Sequence, residues 1–127
     1  LTIELEKEFR GERLIIVHCD GAMDSLEKAL SSVPQMRRRA RLMAIQRQIK
    51  LLAKMGRLSS ENFRKEGGLP SGSNFYALKK IPIRGYCWFS TKHPSTVYIS
   101  HYIHKKKDDL DKRDCQRVVD NWRIIEE

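Results

Sequence analysis

Three apolar, β-patterned stretches crowd residues 75–103, with almost no chain left to connect them. Residues 75–81 and 83–90 are separated by Pro82 alone, and Thr91-Lys92-His93-Pro94 forms the turn into residues 95–103. A parallel crossover needs a dozen or more residues, so connections this short dictate antiparallel neighbours and a three-strand meander. Whatever else the chain does, it must pack around that sheet.

The flanking segments supply the layers. Residues 2–9 alternate, with Ile3, Leu5 and Phe9 against Glu4, Glu6 and Glu8, which predicts a half-buried strand. Arg10-Gly11-Glu12 is a turn signal, and residues 14–17 complete an opening hairpin. Asp20 stands where it can cap the next helix. Ala22, Leu26, Ala29, Leu30 and Val33 fall at helical spacing, which predicts a short helix over 22–31. Ser32 with Gln35 resembles a capping box, and Pro34 is tolerated in a first turn. A long helix then runs to Met55 on a stripe of Leu42, Ile45, Ile49 and Leu52, and Gly56 stops it. It should be roughly 30 Å long. Residues 59–65 are expected to add a helical turn, and residues 67–73, GGLPSGS, form the clearest loop. A last helix begins near Asp111 as its cap and buries Cys115, Val118, Val119, Trp122 and Ile125. The expected order is β-β-α-α-β-β-β-α, an α+β fold in a single domain over residues 1–127.

No run approaches the ~18 apolar residues of a membrane span, and the charged, alternating start does not read as a signal peptide. Cys19, Cys87 and Cys115 are widely spaced, and no CxxC pair occurs. That argues against a disulfide framework and for a reducing, cytoplasmic setting. The four histidines show no zinc-type spacing with the cysteines, so no metal is expected.

The net charge is +9 and unevenly spread: residues 1–32 carry −3, residues 33–66 carry +8 and residues 67–127 carry +4. Such a domain suits a polyanionic partner, nucleic acid or an acidic protein. The third strand of the meander runs straight into His104, Lys105, Lys106 and Lys107. Lysine neutralises phosphate, histidine moves protons near pH 7, and strand aromatics stack on bases. Lys79 and Lys80 are adjacent, so a regular strand presents only one of them on a given face. Two face parities fit the pattern. In one, Cys87, Phe89, Val97, Ile99 and Ile103 face the helices, and Arg84, Tyr86, Trp88, Tyr98, Tyr102 and His104 form an open aromatic and basic face. In the other, His101 faces out with Cys87 and Trp88 packs inside.

Three stretches in this order resemble the RelE/ParE toxin superfamily, particularly its HigB-like, phage-derived branch. FYALKK (residues 75–80) is similar to that family's Tyr-x-Leu-basic strand. IRGYCWF (residues 83–89) is similar to its Gly-Tyr-Arg-hydrophobic strand. SHYIHKKKDDLDKRDCQRVVDNW (residues 100–122) is similar to its His-x-Phe-x-Lys-Lys strand end and final helix. The resemblance implies a RelE-like curved antiparallel sheet with helices on one face. It implies the toxin half of a type II toxin–antitoxin pair, with an acidic antitoxin protein, mRNA and the ribosome as partners. No cofactor, small molecule or membrane is implied. The implied activity is metal-independent mRNA cleavage by 2′-OH attack, with His101, His104, Arg84 and Lys105 as catalytic candidates. Lys79, Lys80, Tyr86, Tyr102 and Lys106 are the RNA-binding candidates. One position departs from the pattern: where the family's RNases carry an arginine on the scissile phosphate, this chain has Cys87. The departure leaves open a ParE-like non-enzymatic inhibitor of a protein such as gyrase, or an inactive nucleic-acid-binding relative.

Overall fold

The computed structural model describes residues 5–80, 82–105 and 110–127. Its elements are β1 (Glu8–Arg10), β2 (Ile15–His18), α1 (Ala22–Ser31), α2 (Gln35–Met55), β3 (Phe63–Gly68), β4 (Asn74–Lys80), β5 (Ile83–Phe89), β6 (Thr96–His104) and α3 (Lys112–Glu126). The class is α+β, built on one six-stranded sheet ordered β1-β2-β6-β5-β4-β3. The meander β4-β5-β6 is antiparallel as its short turns require, but β2 lies parallel to β6, with Ile15 opposite Thr96 and His18 opposite Ile99. The sheet is therefore mixed rather than antiparallel, because the chain leaves β2 through α1 and α2 and returns to its side only with β6.

The helical stripes are buried as their spacing demands. Leu26, Ala29 and Leu30 of α1 and Leu42, Ile45, Ile49 and Leu52 of α2 share one core with Ile16, Leu78, Cys87, Val97, Ile99 and Tyr102. Gly56 adopts the left-handed conformation after α2 and returns its N–H to the Leu52 carbonyl, as a terminating glycine does. Two expected caps are not formed. Gly21, not Asp20, occupies the cap of α1, and Asp20 turns to Lys7 at 3.3 Å. Ser32 and Gln35 make no capping box. Arg38 instead reaches back to the end of α1, donating from Nε to the Val33 carbonyl at 2.8 Å and from Nη2 to the Ser31 carbonyl at 3.0 Å. The cap at α3 forms as expected, with Asp111 accepting from the Arg113 N–H at 2.7 Å.

Helices cover both faces of the sheet. Val118 and Trp122 of α3 pack with Phe75, Ala77, Tyr86 and Trp88 in a second core on the face opposite α1 and α2. Glu126, in the last turn of α3, accepts from the Trp88 indole at 3.0 Å and from the Thr91 and Lys92 N–H groups at 3.0 and 2.9 Å. Burial pushes its carboxyl up. Hydrogen bonds from Ser90, Trp88, Lys92 and Thr91 together outweigh that and hold it at about 2, below its ordinary 4.5. A depressed carboxylate stabilises the fold above its unfolded pKa, and that share is lost as pH falls through the folded value. Thermal melts should therefore show Glu126→Gln converging on the parent between pH 4.5 and pH 2. Curves that stay parallel across that window would remove Glu126 as an anchor.

Two expectations for the middle of the chain are corrected. The helical turn expected over 59–65 forms only at its start, where the Phe63 N–H returns to the Ser59 carbonyl at 2.9 Å; from Phe63 the chain is β3, an edge strand that takes in Gly67 and Gly68 of the expected loop. Phe63 fixes it by stacking on Tyr76 across the strand pair, with ring centroids 4.8 Å apart. In β6, the pairing steps from Ile99 opposite Cys87 to His101 opposite Tyr86. Ser100 is the extra residue of a β-bulge, and a bulge reverses the side-chain alternation beyond it. Val97 and Ile99 face α1 and α2, but so does Tyr102, whose N–H donates to Ser25 Oγ at 2.9 Å. Neither face parity read from the sequence holds along the whole strand. The opening hairpin forms but is shorter than expected: β1 takes in Arg10 of the expected turn and pairs Glu8 with Val17 and Arg10 with Ile15, residues 5–7 lie outside any strand, and residues 2–4 lie outside the described residues.

A candidate anion-binding face beside the third helix

Strand alternation gathers cations on one patch of sheet. Ala77 packs in the α3 core, and its cross-strand partner is Arg64. Two residues on from Ala77 is Lys79, opposite Arg84; Arg84 is in turn opposite Ile103. Directly opposed residues share a face, as do residues two apart on one strand. Arg64, Lys79 and Arg84 therefore line the α3 side of the sheet, just beyond Tyr86 and His101. Arg84 is buried at 4% exposure, Lys79 is half-buried and Arg64 is exposed. Lys105 joins them where β6 ends, its N–H bonded to the Pro82 carbonyl at 2.8 Å. Its Nζ is buried, with no hydrogen-bond partner among the described residues. It lies close enough to α3 to favour the ionised forms of Asp111 and Cys115.

Beside this patch is a buried polar chain that fastens α3 to the bulge. Asn121 Nδ2 donates to Ser100 Oγ at 2.8 Å, Ser100 Oγ meets His101 Nδ1 at 2.8 Å, and His101 Nε2 meets Asp114 Oδ1 at 3.0 Å. The chain is complete when the Ser100 hydroxyl donates to Nδ1 and the Nε2–H donates to the carboxylate. The order Asp-His-Ser looks like a nucleophile relay. However, Ser100 and His101 are both 0% exposed, and an attacking oxygen must reach substrate. The arrangement satisfies the polar groups that a bulge leaves under a packed helix.

The other sequence candidates scatter. His104 is opposite Ile83 of the α1/α2 core, on the far side of the sheet from Arg84. Tyr102 is buried on that side as well, its hydroxyl 2.7 Å from His18 Nε2. His18 Nδ1 lies 2.9 Å from the Glu6 carbonyl, which makes Nδ1 the donor, so the phenol donates to Nε2. Burial pushes the His18 imidazole down and the Tyr102 phenol up, so both stay uncharged. Tyr86 is on the cationic face but fully buried under α3, 5.3 Å from the His101 ring. Bases cannot stack on Tyr86 or Tyr102 in this packing. Cys87 faces α1 and α2, and burial pushes its thiol far up; it supplies neither the cation nor the thiolate. Lys106 and the Lys80 side chain lie outside the described residues.

The structure thus brings together Arg84, Lys79 and Lys105 from the sequence candidates, and it separates His104 and Tyr102 from them. Sequence reasoning missed Arg64. No alternation marked it, because Phe63-Arg64-Lys65-Glu66 reads as a polar helical turn. Among the described residues no cluster of His, Cys, Asp and Glu has metal-site geometry, and no described helix is long and apolar enough to cross a membrane. No protein-family model matches the chain, and no curated protein matches it.

Proposed function

We propose that this chain is the toxin component of a type II toxin–antitoxin pair of the RelE/ParE kind. It would act on mRNA at the ribosome through the cationic face beside α3, with an acidic antitoxin as its protein partner. The observation that carries the reading is the convergence of Arg64, Lys79, Arg84 and Lys105 on one side of the sheet. In-line attack by a ribose 2′-OH builds charge on the phosphate, and guanidinium and ammonium groups in a partly dry site stabilise it. Lys79 and Arg64, half-buried and exposed, are the members that can meet a phosphate, and Arg84, at 4% exposure, adds its charge from beneath them. His101 lies on this side of the sheet but is fully buried under α3 and bonded to Ser100 and Asp114, and His104 is on the opposite side, so neither reaches a phosphate on this patch in this packing.

That last point favours a second reading, a ParE-like inhibitor that binds without cutting. Primer extension on cellular mRNA after induction separates the two. New 5′ ends at ribosome-covered sites support cleavage. Intact messages together with impaired DNA supercoiling support inhibition of a protein target such as gyrase.

RNA binding has its own test. Each phosphate contact to single-stranded nucleic acid contributes about 0.7 to the log–log salt slope. Arg64→Ala and Lys79→Ala should each flatten the slope for a 20-nucleotide single-stranded RNA by about that amount. Slopes equal to the parent's for both variants would detach this face from nucleic acid.

A further inference from the structure

The outer face of α2 has an unusual composition. The helix holds seven basic residues and no acidic ones. Its buried stripe accounts for Leu42, Ile45, Ile49 and Leu52. On the opposite side Met36 is 96% exposed, Met43 41% and Leu51 49%. At 100° per residue, Met36, Ala40, Met43, Arg47, Leu51 and Lys54 follow one another in steps of three and four along a single line. Arg39 and Lys50 run beside that line on one flank, with Arg37 on the other. Among the described residues no carboxylate pairs with Arg37, Arg39, Arg47 or Lys54. The result is a line of Met36, Ala40, Met43 and Leu51 on the solvent side of the helix, with Arg47 and Lys54 set within it, about 27 Å from Met36 to Lys54, flanked by Arg39 and Lys50 on one side and by Arg37 on the other.

We infer that this face docks an amphipathic helix of a partner protein, with apolar residues at three–four spacing and Asp or Glu on both flanks. Three features select that occupant. A helix's own three–four stripe is matched by another helix laid along it. Unbranched methionine side chains adapt to an incoming apolar surface. The uncompensated charge requires an acidic partner and repels a second copy of this face, so self-association here is disfavoured. Nucleic acid would meet the flanks but gain nothing from the central Met and Leu, whereas a helix uses both. The inference goes beyond the RNA reading, since it concerns another face and does not depend on cleavage.

The test uses the full chain and a fluorescently labelled 21-residue synthetic helix with Leu at three–four spacing and Glu on both flanks. Two controls accompany it: a scrambled peptide of the same composition and a 20-nucleotide single-stranded RNA. The patterned peptide should bind saturably, and the scrambled one should bind at least about tenfold more weakly, a difference of about 1.4 kcal/mol. The double variant Met43→Asp with Leu51→Asp, both exposed positions, should weaken peptide binding by a similar factor and leave the melting temperature in place. The same variant should bind the RNA as the parent does, whereas Lys79→Ala should affect only the RNA. Equal binding of patterned and scrambled peptides would overturn the proposal and reduce the face to a nonspecific cation surface. Loss of RNA binding in the Met43/Leu51 variant would reassign the face to nucleic acid. Failure of the Lys79 arm alone would count against the RNA reading and leave this one standing.

Discussion

Trp88→Ala should lower stability by about 3–5 kcal/mol, the range for truncating a fully buried large aromatic. Trp88 is among the largest side chains with no exposed surface, and it sits between the sheet and α3. Its ring stacks on Tyr98 with centroids 5.5 Å apart, and its indole N–H donates to Glu126. The substitution removes packing and also takes one donor from the carboxylate that ties α3 to the β5–β6 turn. Chemical denaturation should show a lower midpoint with an unchanged m-value if α3 stays docked, and a changed m-value if α3 detaches. Trp88→Phe separates the contributions: it keeps most of the packing, loses the indole donor and should recover more than half of the loss. A loss of unfolding free energy below about 1 kcal/mol for the alanine variant would mean that α3 does not cover this face.

Gly85→Ala should be nearly as damaging, by a different route. Gly85 is buried in the middle of β5, directly opposite Tyr102. A Cβ there would come within 2.8 Å of the Tyr102 ring. The ring has little freedom to retreat, because its hydroxyl is held by His18 and its backbone N–H by Ser25. Overpacking of this kind costs about 1–3 kcal/mol, and a locked neighbour puts it at the upper end. The check is a double-mutant cycle with Tyr102→Leu, which frees the space. Each single change should destabilise, and the pair should be more stable than their sum implies, with a coupling on the order of 1–2 kcal/mol. Strict additivity would show that the two side chains do not compete for the same space.

The faces of β5 and β6 also show where sequence pattern stops being informative. Helices α1, α2 and α3 were readable because Leu26, Leu42, Ile49 and Val118 recur at a helical period. The meander was readable because Pro82 and Pro94 leave no room for crossovers. Strand β3 was not, since Arg-Lys-Glu-Gly-Gly has neither alternation nor β-branched residues; its place is fixed by Phe63 on Tyr76, a contact across chain-distant positions. The bulge at Ser100 was equally hidden. One extra residue in a run of Ile, Ser, His, Tyr and Ile leaves no compositional trace, yet it exchanges the faces of His101 and Tyr102. The candidate site divides in the same way. Arg84, Lys79 and Lys105 were found because charge is visible in a sequence. The helix that covers Tyr86 and His101 was visible only as an amphipathic stripe, with nothing to say which face of the sheet it would choose.

The parallel pairing of β2 with β6 also has a consequence in time. Two neighbours that stabilise the N-terminal third of the domain come from β6: the strand bonded to β2, and the Tyr102 N–H bonded to Ser25 of α1. During synthesis β2 and α1 leave the ribosome long before β6 exists. Contacts of such sequence separation slow folding, because the loop between them must close before any contact rewards it. Until then the hairpin and α1 have an apolar face with no sheet to rest on. A nascent chain stalled after β5 should therefore be far more sensitive to protease than one released past His104, and the last strand of the meander acts as the keystone of the whole domain.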